Sequence, residues 1–321
     1  MLLFFIAFSF FFTLAILPTV IALAWRIGAV DDPGEWRRMH ARSIPRAGGL
    51  AIFSAFALAC LAMGAFSRPL SCMLGGGFLL LLVGLADDIF SLGAASKLFF
   101  QFAVVLACVM GEGSLSGGRL AFGVLWVLAL ANAHNFIDGL DGLFAGTAAV
   151  ECVLLALSLQ LSGAGEGIAP SLLLGAACVG FLLYNRHPAS VFAGDCGSVT
   201  VGFLLGMLTL PLLHLPTRNA SVLSPLFLFA YPLTDLGTAV LRRFLRGRSP
   251  FSADRAHLHH RLTDAGLSQP RCVAILHLIS AALGLIGVLL ILPRFLPFAS
   301  LACAASALLL IGIRHFITDF A

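Results

Sequence analysis

Asp87 and Asp88 stand side by side in GLADDIFSLGAASK, where an apolar run ends. Ionised groups at a bilayer boundary cost about 2–3 kcal/mol each. Two adjacent carboxylates also repel, so a bound cation or a proton must relieve them. A divalent cation, or a phosphate that brings its own proton, would do so. Asp87-Asp88 alone could equally be an ordinary interfacial helix end. Lys97 follows, the one lysine in the chain. A lysine beside an acidic pair suits a point-charge contact to phosphate; it also suits a snorkelling anchor.

The run Asn132-Ala-His-Asn135-Phe-Ile-Asp138-Gly139-Leu-Asp141-Gly142-Leu143 repeats amides and carboxylates every third residue. On a helix end that spacing aligns them along one side. Oxygen donors of this kind suit Mg²⁺ or Mn²⁺ and not zinc. Gly194-Asp195-Cys196-Gly197-Ser198 sets a carboxylate between glycines where the next apolar run opens. Free N–H groups at a helix start attract anionic oxygens; a plain capping turn has the same residues. Asp254-Arg255-Ala-His257-Leu-His259-His260-Arg261 is a dense donor set for pyrophosphate oxygens. A zinc site is the rival there, without a cysteine or an H-E-x-x-H pattern to support it. The stretch Asp31 to Gly49 contains His40, Arg46 and a Pro45-Arg46-Ala-Gly48-Gly49 segment that could hold a lipid phosphate.

These stretches need elements to position them. The chain has 321 residues, 60% hydrophobic and 11% charged, with a mean hydropathy of +1.02. Soluble domains carry about 25% charged residues. Eleven apolar stretches can be marked, near 2–25, 49–67, 72–86, 98–111, 120–133, 146–162, 168–184, 199–215, 222–241, 272–292 and 295–313. A spanning helix needs about 20 such residues. The expectation is an all-α polytopic membrane protein of eleven helices, or ten, forming one transmembrane catalytic domain over 1–321. The first stretch lacks a basic start and reads as an uncleaved anchor with its N-terminus outside.

Of the 19 Lys and Arg residues, all but Arg68, Arg119, Arg218 and Arg294 fall on the side that this orientation makes cytoplasmic. The C-terminus is expected on that side too. The basic excess is therefore juxtamembrane anchoring, and no nucleic-acid-binding stripe is present. Eight cysteines, without a C-x-x-C pair, read as small apolar residues. His134 reads as a neutral neighbour in its motif. Glu151 and Asp235 lie in apolar runs and should face the bundle interior, with Asp235 near enough to the inner face to support the site.

In order along the chain, from Asp31 to about Leu262, these motifs resemble the polyprenyl-phosphate N-acetylhexosamine-1-phosphate transferase family. The matching segments are Pro45–Gly49, Asp87-Asp88, 132–143, 194–198 and 257–260. Cys196 departs from the threonine, alanine or similar small residue usual there, and Ala193 from the more usual Met or Leu. The DRxHLHHRL segment looks like the branch that starts O-antigen, common-antigen or teichoic-acid synthesis. The resemblance implies a bacterial inner-membrane enzyme. A UDP-N-acetylhexosamine such as UDP-N-acetylglucosamine would be the donor, and undecaprenyl phosphate, held among membrane lipid, the acceptor. Mg²⁺ would be held by Asp195 with Asn135 or Asp141. Asp87, Asp88 and Lys97 would act on the reacting phosphates. Asn132, Asp138, Gly194, Ser198, Arg255, His257, His259, His260, His40 and Arg46 would hold substrate. A homodimer is compatible with the pattern. A transporter is the main rival. CDP-alcohol phosphotransferases fit less well, since their GxxxDxxxD spacing is missing.

Overall fold

The computed structural model describes residues 1–33, 42–64, 66–214, 218–247, 249, 257–292 and 294–295. Among them the chain is a bundle of helices with one small two-stranded sheet. It is an all-α polytopic membrane protein.

Helix α1 (Leu2–Ile27) is an unbroken apolar run that stops at Gly28, which turns left-handed at φ 78°. Strands β1 (Val30–Asp31) and β2 (Ile44–Pro45) pair antiparallel just beyond it. Helix α2 (Gly48–Ala62) follows at once. Helix α3 (Arg68–Phe90) starts on Ser67, whose Oγ accepts the Leu70 N–H, with a proline in its first turn. Helices α4 (Ala94–Glu112), α5 (Gly117–Ile137), α6 (Leu143–Ser162), α7 (Ile168–Asn185) and α8 (Asp195–Thr209) then run back and forth with short connections. The rest comprises α9 (Arg218–Leu228), α10 (Ala230–Leu245), the short α11 (Leu258–Asp264) and α12 (Gln269–Leu289).

Eight helical segments among the described residues are long and apolar enough to cross a membrane. Two of the expected stretches differ. The one near 49–67 folds as α2, whose 15 residues reach about 22 Å against a hydrocarbon core of about 30 Å. The one near 222–241 is broken: α9 and α10 meet at 86°. Pro225 lies inside α9 and Pro232 in the first turn of α10, and proline removes the donors that would carry a helix through. The stretch 295–313 lies almost wholly outside the described residues.

Helix α8 is the central post. It is sheathed by α2, α3 and α5, and nearly all of it is buried. Its first turn meets α2 backbone to backbone. A Cβ on Gly49 would lie 2.3 Å from Gly197 Cα, and neither backbone has a side chain to move aside. Gly49→Ala is therefore expected to lower stability by about 1–3 kcal/mol. A drop in the thermal midpoint of the detergent-solubilised protein checks this, and an unchanged midpoint would contradict the packing described.

Candidate active site

Successive helices reverse direction, so α3 and α5 end, and α4 and α8 begin, at the same end of the bundle. Chemistry gathers there. Asp87 and Asp88 occupy the last turn of α3, Lys97 the first turn of α4, Asn135 the last turn of α5 and Asp195 the first residue of α8. Arg46 arrives from beside β2, where its backbone bridges Phe192 just before α8.

One carboxylate oxygen each from Asp87, Asp88 and Asp195 lie within 4.8 Å of one another. Lys97 Nζ donates to Asp87 Oδ2 at 2.8 Å and also to Asp195 Oδ2. Asn135 Nδ2 donates to that same Asp195 oxygen at 3.0 Å. Arg46 Nη2 lies 2.8 Å from Asp88 Oδ1 and 3.5 Å from Asp195 Oδ1, and its Nη1 lies 3.6 Å from Asp31. Burial works against the Arg46 charge, but Asp88, Asp195 and Asp31 together hold its pKa above the ordinary value. Four carboxylates against two cations leave a formal surplus of two negative charges.

Asp88 has a separate task. Its side chain is shut off from solvent, and its two oxygens accept the N–H groups of Asp195 at 2.9 Å and Cys196 at 3.1 Å. It thus caps α8 from another helix, where orphan N–H groups and the helix dipole favour an anion. Gly194 makes this approach feasible. It turns at φ 72°, and a Cβ there would lie 2.5 Å from Asp88 Oδ2. Asp87 keeps the more open position, facing Lys97. Leu80, Val83, Gly84 and Val199 form the apolar wall of a cleft that ends at Asp87, Lys97 and Asp195.

The other expected site residues fall differently. Asp138 follows α5, and desolvation, then the nearby Asp195, push its carboxyl up to about 8, with Arg46 opposing. Asp141 does not join the cluster. Its Oδ2 accepts from His187 Nδ1 at 2.8 Å and from Ala189 N–H at 3.1 Å. Asn132 donates to Gln101 Oε1 and Leu128 O, both at 2.9 Å, and so ties α5 to α4. Ser198 is buried and bonds back to Gly194 O at 3.0 Å. His40 and Arg255 lie outside the described residues.

The histidines form a second centre. His257 Nδ1 and Asp235 Oδ2 are 2.7 Å apart, and Leu258 N–H donates to Asp235 Oδ1 at 2.9 Å. The His257 and His259 rings stack at 5.6 Å, and His259 lies over Gly139. His259 is buried, which drives its pKa down to about 3 despite Asp235. It is packed inside as a neutral ring, not held out as a surface donor. Asp235 is where its sequence position near the inner face suggested, supporting the site through His257, whereas Asp31 reads in the sequence only as part of a loop. His187 and Gln101 gave no signal of their own.

Every carboxylate of the cluster lies at a helix end, with none half way along a span. The transporter reading has no support. A family model described as glycosyl transferase family 4 matches residues 70–212. That stretch holds Asp87, Asp88, Lys97, Asn135 and Asp195. The chain is 34% identical to the probable undecaprenyl-phosphate N-acetylglucosaminyl 1-phosphate transferase of Bacillus subtilis strain 168, covering 83% of this chain and 78% of that protein. It is 35% identical to the decaprenyl-phosphate N-acetylglucosaminephosphotransferase of Mycobacterium tuberculosis H37Rv, over 80% and 74%. Identity to the undecaprenyl-phosphate alpha-N-acetylglucosaminyl 1-phosphate transferase of Escherichia coli K12 is 28%, over 90% and 83%. With that similarity spread along most of its length, the chain belongs to glycosyl transferase family 4, the polyprenyl-phosphate N-acetylhexosamine-1-phosphate transferases.

Proposed function

We propose that this protein transfers N-acetylglucosamine 1-phosphate from UDP-N-acetylglucosamine to undecaprenyl phosphate. UMP is released, and a lipid-linked surface polysaccharide is started. The observation that carries the reading is the Asp87–Lys97–Asp195 cluster at the foot of an apolar cleft. A lipid phosphate needs that combination: hydrocarbon wall above, charge below.

In the reaction an acceptor phosphate oxygen attacks the β-phosphorus of the donor. That O–P bond forms as the bond from the β-phosphorus to the bridging oxygen breaks, and the bridging oxygen leaves with UMP. Catalysis is mostly positioning and charge neutralisation. Asp87 takes up the acceptor's proton or orients its phosphate. Lys97 offsets charge on the transferring group. Asp88 and Arg46 keep the start of α8 in place so that Asp195 faces the reaction. His257, oriented by Asp235, and Arg255 hold the donor.

The donor set fits Mg²⁺, or Mn²⁺. Its carboxylates are hard oxygen donors with surplus negative charge, and the Lys97 ammonium already lies between two of them. Asp195, Asp87 and Asn135 would hold the ion; Asp141 is engaged elsewhere. Bound there, Mg²⁺ supplies charge neutralisation on pyrophosphate oxygens.

The chain would cross a bacterial inner membrane eleven times, if α2, the α9–α10 pair and 295–313 each count as a crossing. The N-terminus lies outside and the site faces the cytoplasm, as the one-sided Lys and Arg distribution favours. Membranes containing the protein should move label from UDP-N-acetylglucosamine into the lipid fraction when undecaprenyl phosphate and Mg²⁺ are supplied. Chelation should reduce this at least about 100-fold. No lipid label from any UDP-N-acetylhexosamine would overturn the reading.

A further inference from the structure

His134 and Glu151 are a hydrogen-bonded pair of ionisable side chains, both fully shut off from solvent. His134 sits in α5, one residue before Asn135. Glu151 sits in the middle of α6. His134 Nε2 lies 2.7 Å from Glu151 Oε2, and His134 Nδ1 lies 2.8 Å from Leu130 O. A carbonyl only accepts, so Nδ1 carries a hydrogen. One proton is then shared between Nε2 and the carboxyl. The pair is net neutral whichever side holds it, which is how it can lie so deep.

Among the described residues the pair has no other side-chain hydrogen bond. Phe144 and Phe229 meet the His134 ring edge-on at 6.4 and 6.2 Å. Gly202 of α8 lies against its Cβ. The second oxygen of Glu151 has no hydrogen-bond partner among the described residues. An orphaned buried oxygen is costly, and an apolar pair of similar shape would avoid it. Some other benefit offsets that cost.

The benefit follows from where the bond lies. Helix α5 packs mainly on α8, with the carboxylate cluster. Helix α6 packs mainly on α7 and α12. The histidine segment rests on the α12 side, where Leu262, Cys272 and Leu276 pack together with Ile137, Leu140 and Leu143. The direct packing of α5 on α6 is slight. The His134–Glu151 bond is the polar tie between them, just beneath the turn that carries Asp138 and Asp141.

We infer that His134 and Glu151 are positioning residues that fix the register of α5 against α6, and so set Asn135 on Asp195 and hold the 138–142 turn in line with the histidine segment. The link to Asn135 is short: its Nδ2 bond to Asp195 is made from the adjacent residue of the same turn. A slip or rotation of α5 would break it first.

The inference rests on the transfer reaction proposed above for its activity readout, so wild-type turnover in the same preparation tests that reading separately. The second readout needs no turnover: the Mg²⁺ concentration that gives half of the Mg²⁺-dependent thermal shift. Glu151→Ala should lower kcat at least about tenfold with KM for both substrates within about twofold. It should also raise the half-effective Mg²⁺ concentration several-fold. Glu151→Gln can donate its amide to Nε2 of the neutral ring, and should return both values to near wild type. The pair exchange His134→Phe with Glu151→Leu should keep the wild-type thermal midpoint, because it removes the orphaned oxygen, yet leave kcat low. Wild-type kcat and Mg²⁺ response in Glu151→Ala, or in the pair exchange, would overturn the inference and leave the pair a packing feature. So would failure of Glu151→Gln to restore them.

Discussion

Asp195→Asn is expected to abolish turnover, by about 10³-fold or more, while the protein stays folded. Asp195 is where the site's interactions cross. Its Oδ1 faces Arg46, and its Oδ2 takes Lys97 and Asn135. Removing its charge leaves the two cations with Asp87, Asp88 and Asp31 still in reach, so the local charge balance survives. It also lessens repulsion among three crowded carboxylates. What goes is the anionic centre on which a cation and a donor pyrophosphate would be arranged. UMP release in membranes, normalised to folded protein, gives the measurement. Near-wild-type release would remove Asp195 from the chemistry and with it the site assignment.

Asp88→Asn should also abolish turnover, but with a different signature. Asp88 holds two N–H groups of α8 and the Arg46 guanidinium. An asparagine has a single acceptor oxygen, and its NH₂ would face a donor. Breaking one side of a buried ion pair costs about 3–5 kcal/mol, and a lost cap adds about 1 kcal/mol. Stability and activity should fall together, in contrast to Asp195→Asn. Thermal midpoint and turnover, measured on both variants, separate the two roles. A stable, inactive Asp88→Asn would instead place Asp88 in direct contact with substrate.

The sequence locates the chemistry well because charge at a bilayer boundary is costly and therefore informative. Asp87, Asp88, Lys97, Asn135 and Asp195 all declare themselves as polar residues where apolar runs end. Partner choice is less visible. Asp138 and Asp141 are three residues apart, which on a helix would align them. Helix α5 stops at Ile137, however, and the turn that follows sends Asp141 to His187 while Asp138 stays near Asp195. The equivalence of Asp87 and Asp88 in sequence likewise hides a division of labour. On a helix, adjacent residues point about 100° apart; here one points to α4 and the other beneath α8. Hydropathy also misses direction, so the stretch near 222–241 reads as continuous although the backbone turns at Phe229. Arg46 reads as a substrate-holding residue of its Pro45–Gly49 motif, whereas the structure pairs it with Asp31, Asp88 and Asp195, partners that lie elsewhere in the chain.

The capping of α8 by Asp88 has a consequence for how the protein is made. The N–H groups that Asp88 accepts belong to residues 107 and 108 positions later. At about 5–20 residues per second, a ribosome needs roughly 5–20 s to reach them. During that interval α3 is already in place and its terminal carboxylates have no helix start to cap. The nascent chain must leave them hydrated at the membrane surface, with Arg46 and Lys97 as the neutralising groups already synthesised. Insertion of α8 then closes the carboxylate cluster, and the histidine segment is added only afterwards, so the half-made protein carries no assembled active centre.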